Sequence, residues 1–461
     1  MKKLLSAIII LAFILAAAGA AYYFIIENPS TVNGVRLARY SIVYSEDEYD
    51  YNKRAAEYIR DSIKARTSLD IDIIEDDEEK RKYEIVVGET NREISSQLNK
   101  NTLGTEFAIL ANDDSIALEA NYFVIAAAAY FFVETYLPSD AFDTTVPKET
   151  LVHEPIVKEA KNYIMLIGDG MGVPQTLLHT VMEIPANRNY GDNEKLFYGY
   201  LLPAFGYSRT DSLSGTTDSA AGGTALASGY KTLNANIGRD ENSVDVKLLT
   251  ELAAELGMST AVMSTEIQTG ATPASFSAHA EDRDDSSDIR TSQEETVKKY
   301  GTIIDCGYDY YGSGKVLELE DRVRANLDKL DDDEDGFFLM YEEAYIDKHC
   351  HNNDIDKTFD AMLRFNQIIA TVMEYAFYNP DTFVLITADH ETGGLVDDGN
   401  GSFKYTSEDH TSADVPVFAY GYGAQIFDGK TVENVQIPKT IAKMLGVFDF
   451  GDQSEYPALE D

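Results

Sequence analysis

His351, His390 and His410 are three of only seven histidines in the chain, and each keeps acidic company. In "YIDKHCHN", Asp347 and His351 lie four apart, so a helix sets both on one face. In "LITADHETGG", Asp389 and His390 are adjacent, and His410 stands in "EDHTSADVPVFAYG", just before an apolar run. Asp169 closes "YIMLIGD" and Glu342 closes "GFFLMYE". Taken singly, each has an ordinary reading: an Asp after a strand caps a helix, and a lone histidine packs or meets water. Their coincidence points to metal. Imidazole with carboxylate suits Zn2+, and carboxylate with hydroxyl and water suits Mg2+. The donors suffice for more than one ion.

A second constellation is "TTDSAAGGTALASGYKT", residues 216–232, where Asp218 and Ser219 precede a run of small residues. One reading is a flexible loop. The other is a serine nucleophile at a helix start, cleared of bulk so that a substrate can approach. A serine hydroxyl needs a base or a metal to become reactive, and a helix N-terminus adds partial positive charge.

The elements around these residues repeat one pattern. "YIMLIGDGMG", "MSTAVMST", "DGFFLMYEE" and "DTFVLITADHETGG" are apolar runs ending in polar clusters, with helical stretches such as "VKLLTELAAELG" between them. Strands alternating with helices imply an α/β fold, a largely parallel central sheet with helices on both faces. Ligands in such sheets sit outside the carboxyl ends of the strands, where the unusual residues fall. Residues 30–153 read as a separate small α+β domain. It contains "RYSIVYS", the helix "YNKRAAEYIRDSIKART", two further strands, a hairpin turning at Asn112–Asp114 and a closing helix. Its "VVGETNRE" and closing helix resemble the non-catalytic α+β domains that precede some glycoside hydrolase domains. "TTVPKETLVHEPIVKEAKN" reads as a linker, and residues 160–450 as the catalytic domain.

The 461 residues carry a formal charge of −41, which argues against nucleic acid as a specific partner. Two cysteines, Cys306 and Cys350, allow one disulfide and no framework. Residues 1–28 begin with Lys2 and Lys3, followed by an uncharged run of about 23 residues from Leu4 to Ile26. That reads as an export segment, either a cleaved signal peptide or an anchor long enough to span a bilayer. The expected location is extracytoplasmic, secreted or held at the cell surface. "YFVIAAAAYFFVETYL" contains Glu134 and reads as a buried helix.

"IGDGMG", "TDSAAGGTALASG", "ATPASFSAHAEDR", "EEAYIDKHCH", "TADHETGG" and "DHTSADVPVFAYG" occur in the order found in alkaline phosphatases, and residues 162–450 resemble that family. The resemblance implies a phosphate monoester hydrolase acting on small phosphorylated substrates, with two Zn2+ and one Mg2+, and it is compatible with a homodimer. It makes Ser219 the nucleophile that becomes phosphorylated. Asp347, His351 and His410 would hold the first zinc. Asp169, Asp389 and His390 would hold the second, completed by Ser219. Asp169, Thr272 and Glu342 would hold magnesium, and Arg283 would clamp phosphate. Lys348 matches the lysine that bacterial members keep near the phosphate. His279 is expected to pack, and His349 to face solvent or the cleft rim.

Three positions depart from the family pattern, and one of them is Thr216, which stands where a branched aliphatic is usual two before Asp218. Glu343 stands where a Gly is usual, a carboxylate expected either to face solvent or to perturb the metal cluster. Gly270 stands where an Asp or His usually supports magnesium. Other readings are a phosphodiesterase of the same superfamily, or a surface binding protein with a degenerate catalytic domain. A sulfatase would want Pro two residues after its nucleophile, where this chain has Ala221.

Overall fold

Leu166 and its neighbours in "NYIMLIG" are buried throughout, as a strand covered on both faces requires. The computed structural model describes residues 30–47, 49–98, 104–139, 142–182, 195–307, 316–400 and 402–460. The expected export segment at 1–28 lies outside them. Among the described residues, no helix is long and apolar enough to cross a membrane. The chain divides into two compact units, at Pro155 and Ile156.

In the first unit the main elements are β1 (Ser41–Tyr44), α1 (Tyr51–Thr67), β2 (Ile73–Glu75), β3 (Glu84–Val87), β4 (Phe107–Ala111), β5 (Ser115–Ala120), α2 (Ile125–Tyr136) and β6 (Leu151–His153). The sheet order is β2-β1-β3-β5-β4-β6. Only β4 runs against the others. Asn112 Oδ1 accepts from Asp114 N at 3.0 Å and Ser115 N at 2.8 Å, which turns the β4–β5 hairpin. The apolar helix α2 packs on α1, β4 and β5. Leu151–His153 was expected in a linker, yet it pairs with β4 as an edge strand. Three residues are too few to show a period of two.

In the second unit, the elements that position the site are β7 (Asn162–Gly168), α3 (Val173–Val181), β8 (Ala204–Arg209), α4 (Ser219–Ser228), α5 (Leu249–Glu255), β9 (Ser259–Ser264), α6 (Ala271–Ser275), α7 (Ser286–Tyr300), β10 (Ile303–Cys306), α8 (Val316–Leu330), β11 (Phe337–Glu343), α9 (Tyr345–His351), α10 (Ile355–Tyr378), β12 (Thr382–Thr387), β13 (Val415–Tyr420), β14 (Thr431–Glu433) and α11 (Gln436–Met444). They build one eight-stranded sheet, ordered β10-β9-β11-β7-β12-β13-β8-β14. All strands run parallel except β13. Tyr163, Met165 and Ile167, alternate residues of β7, share a core cluster with Leu226 of α4, Leu249 of α5 and Ile437 of α11. The long helix α10 packs against β12, α8 and α9.

Because β13 alone is antiparallel, its N-terminal end lies where the other strands have their carboxyl ends. His410 precedes β13 for this reason, while Asp169, Glu342 and Asp389 follow or end their strands. A short ladder pairing Glu391–Thr392 with His410–Thr411 ties that segment to the chain leaving β12.

Candidate active site

Ser219 is the first residue of α4, and Asp218 is its cap. Asp218 Oδ1 accepts from Ala221 N at 2.9 Å. Oδ2 accepts from Ala235 N at 3.0 Å and from Arg283 Nη1 at 3.1 Å. One carboxylate therefore closes the helix and holds the guanidinium. The glycines of α4 serve close approach. A Cβ on Gly222 would stand 2.9 Å from Asp389 O, and one on Gly223 3.0 Å from Ser275 Oγ. The loop reading of this stretch is set aside: it is a buried helix start pressed against the β12 exit.

Asp347, His351 and His410 converge. His351 Nε2 lies 3.0 Å from His410 Nε2, and Asp347 Oδ1 lies 3.4 Å from the first and 3.5 Å from the second. Each ring turns Nδ1 to a backbone carbonyl, His351 to Glu408 and His410 to Thr217. With Nδ1 donating, Nε2 of both rings presents a lone pair to the same point. Two facing lone pairs beside a carboxylate suit a shared cation.

Asp169, Asp389 and His390 form an adjoining group. His390 Nε2 stands 3.5 Å from Asp169 Oδ1, 3.3 Å from Asp389 Oδ2 and 3.1 Å from Ser219 Oγ. Asp169 Oδ1 and Asp389 Oδ2 are buried without a hydrogen-bond donor, an arrangement that is costly unless a cation meets them. The two groups touch, for the rings of His390 and His410 stack with centroids 3.7 Å apart. His390 reaches Asp347 and His410 as well as Asp169 and Asp389, so it lies between the two groups. Glu342, at the end of β11, accepts from Ser264 Oγ and lies beside the Thr272 hydroxyl on α6.

The electrostatics describe a shortage of positive charge. Burial, then Asp389, Asp347 and Glu342, push the Asp169 carboxyl well above its usual range. Burial raises Glu342 to about 8 and, with Asp347, raises Asp389 to about 7. Asp347 goes the other way: burial opposes its charge, but His410, His390 and His351 outweigh it and hold it low. Arg283 keeps its charge against burial through Asp218, Asp169 and Asp389. Buried carboxylates in this number are stable as anions only with cations among them. The orphaned oxygens and the bare imidazole nitrogens therefore fit bound divalent metal.

The sequence model of the alkaline phosphatase family matches residues 160–306 and 312–406, more than half of the chain. The chain belongs to the alkaline phosphatase family. It is 30% identical over 333 residues to alkaline phosphatase 4 of Bacillus subtilis, covering 60% of this chain and 71% of that protein. Alkaline phosphatase 3 of the same organism is also 30% identical, over 334 residues. The structure of the alkaline phosphatase from the Antarctic bacterium TAB5 superposes with a TM-score of 0.53 at 27% identity, covering 63% of this chain and 99% of that one.

The remaining residues singled out in this alkaline phosphatase family chain take the following places. Glu343 does not face solvent. It is fully buried and accepts from Arg364 Nη2 of α10 at 3.1 Å and from Tyr345 N, at the start of α9, at 3.2 Å. His349 is not at the rim; it is buried, and burial with Arg364 lowers its pKa to about 4. His279 is half-buried, with Nδ1 2.7 Å from Gly238 O and Nε2 3.4 Å from Glu251 Oε1. Cys306 and Cys350 are both free. Lys348 is paired with Glu266.

The sequence reading passed over Thr392, Ser264 and Glu266. Thr392 Oγ1 donates to Asp347 Oδ1 and lies 3.2 Å from His390 Nδ1. Its place two residues after His390 was the one available signal. Ser264 and Glu266 lie at the end of β9, the carboxyl-end position that drew attention on the other strands.

Proposed function

We propose that the chain is an exported phosphate monoester hydrolase working through a phosphoserine at Ser219. The observation that carries this reading is Ser219 Oγ, on a helix start, 3.1 Å from His390 Nε2 and flanked by Asp218, which holds Arg283. Two zinc ions and one magnesium fit the donors. Asp347, His351 and His410 would take the first zinc. Asp169, Asp389 and His390 would take the second, beside Ser219. Asp169, Thr272 and Glu342 would take magnesium. Bound there, the ions supply Lewis acidity that favours the serine alkoxide, steadies the leaving oxygen and makes water acidic.

The chain's own groups do the rest. Arg283 grips two non-bridging phosphate oxygens, with its plane set by Asp218. The N-terminus of α4 faces the phosphoryl negative charge. Ser219 Oγ attacks phosphorus in line. The Oγ–P bond forms as the bond to the alcohol oxygen breaks, and the alcohol leaves with a proton. Water then attacks from the vacated side, the Oγ–P bond breaks, and phosphate and the serine hydroxyl are restored. The apolar N-terminal segment supports export, and the acidic charge supports small phosphorylated substrates over nucleic acid.

Ser219→Ala should lower kcat on an aryl phosphate monoester at least about a thousandfold, and a burst of alcohol release should vanish. Unchanged turnover would sink the phosphoserine mechanism. Comparing mono- and diester turnover in the same preparation separates a monoesterase from a diesterase. Metal content after chelation and reconstitution, measured together with activity, separates an enzyme from a binding protein.

A further inference from the structure

Glu391 follows His390 and is buried, yet it belongs to neither metal group. Its carboxylate gathers four neutral donors. Oε1 accepts from Gln175 Nε2 of α3 at 2.9 Å and from Leu395 N at 3.2 Å. Oε2 accepts from Gly394 N at 3.2 Å and from the Thr411 hydroxyl. Gly172, which caps α3, leaves room for this side chain. A Cβ on Gly172 would stand 2.4 Å from Glu391 Cγ.

The two backbone donors lie in the turn that Gly393 and Gly394 make, at φ +89° and +54°. That turn carries residues 405–411. Gly393 N donates to Asp409 O, and Gly393 O accepts from Thr406 N and Ser407 N, each at 3.0 Å. Thr406 Oγ1 donates to Gly394 O at 2.7 Å. Residues 405–411 in turn support both imidazoles of the first metal group: they include His410, and the Glu408 carbonyl accepts from His351 Nδ1. The two groups are therefore held differently. Asp169, Asp389 and His390 are buried where core strands end, and Gly170 N and His390 N both donate to Asp389 Oδ1. His351, 39% exposed, and His410 depend on a stretch of chain outside the main sheet, fastened to the turn that Glu391 closes.

We propose that Glu391 is a positioning residue for the first metal group alone, Asp347, His351 and His410. Its carboxylate shapes the 391–395 turn and pins Thr411, and both histidines take their places from that turn. Groups that fix the ring of a ligating histidine set its affinity for metal. A chain without this carboxylate keeps its hold on the second zinc and loosens its hold on the first, because the donors of the second group rest on the sheet. The proposal rests on the reading above that these donors hold zinc.

The test titrates the full chain with Zn2+ against a competing chelator, and His351→Ala identifies the binding phase of the first group. Glu391→Gln keeps an oxygen for Gln175 and Leu395 N but turns an amide toward Gly394 N, which needs an acceptor. Its first-group Kd should weaken about tenfold or more, while the second-group Kd stays within about twofold of wild type. Thr411→Val removes one donor and no charge, so it carries the same test in a chain that keeps the buried carboxylate. It should weaken the same phase and spare the other, and combined with Glu391→Gln it should cost less than the two changes summed. A glutamate that only steadies the fold would weaken both phases together. Equal weakening of both phases, or an unchanged first phase, in either variant overturns the proposal. A wild-type chain that binds no zinc would instead overturn the zinc reading, a result distinct from any split between the phases.

Discussion

His390 Nδ1 and the Thr392 hydroxyl lie 3.2 Å apart, and that contact fixes which face of the imidazole is bare. The Thr392 hydrogen points to Asp347 Oδ1, an ionised carboxylate that only accepts. The Thr392 oxygen is then left to accept from His390 Nδ1–H, so Nε2 carries its lone pair toward Ser219, Asp169 and Asp389. Thr392→Val keeps the shape and removes the hydroxyl. Zinc affinity, read by chelator competition, should weaken about tenfold or more. Full affinity in the variant would show that packing alone orients His390.

Asp218 carries two separable tasks. Asp218→Ala should cost about 1 kcal/mol of stability from the lost cap, read by denaturant unfolding. It should also weaken phosphate binding about tenfold by releasing Arg283. Asp218→Asn keeps an acceptor for Ala221 N but loses the ionic partner of Arg283. It should recover most of the stability and little of the affinity.

The Arg364–Glu343 pair is buried on both sides, with side chains 6% and 0% exposed. Arg364→Met leaves the Glu343 charge uncompensated under α9 and should cost about 3–5 kcal/mol. Glu343→Leu/Arg364→Met removes both charges and should unfold much closer to wild type. A double variant no better than the single one would show that the pair contributes through shape, not charge.

Metal removal should be visible without any assay of turnover. Exhaustive chelation leaves Asp169 Oδ1 and Asp389 Oδ2 buried without donors. The unfolding temperature of the catalytic unit should fall by about 5 °C or more and return with zinc. An indifferent melting curve would mean that the fold does not depend on cations at this cluster.

His279 gives a pH signature away from the metals. Burial opposes its charge, but Glu251 and the Gly238 carbonyl outweigh it, so its pKa is raised from 6.5. Burial also works against the Glu251 charge, yet His279 and Leu248 N lower that carboxyl below 4.5. The His279 contribution is full below about 6.5 and fades as pH rises through the raised value. The Glu251 contribution is present above about 4.5 and fades as pH falls through the lowered one. The coupling from a His279→Gln/Glu251→Gln cycle should be about 1 kcal/mol near pH 5.5–6 and vanish at pH 9. A coupling flat across that range would show a neutral hydrogen bond.

Much of the site was legible along the chain because it depends on local order. An unbroken apolar run becomes a strand of a parallel sheet, and parallel strands bring their carboxyl ends to one edge. Asp169, Glu342, Asp389 and His390 are placed by that rule, and Asp347 and His351 by helical spacing. Asp218 before a run of small residues marks a helix start. None of this needs knowledge of which strands are neighbours.

The tertiary structure decided what depends on neighbours distant in sequence. His410 reaches the cluster because β13 runs against the other strands, a direction that apolar periodicity does not encode. Glu343 is neutralised by an arginine on α10, so a residue that reads as a stray charge is a buried partner. Glu266 fills the room at Gly270 in its own turn and meets Lys348, which comes from a distant segment. Period and spacing report which face a residue occupies; only the packed chain determines which charge meets it there, because a buried charge is stable only beside its counter-charge.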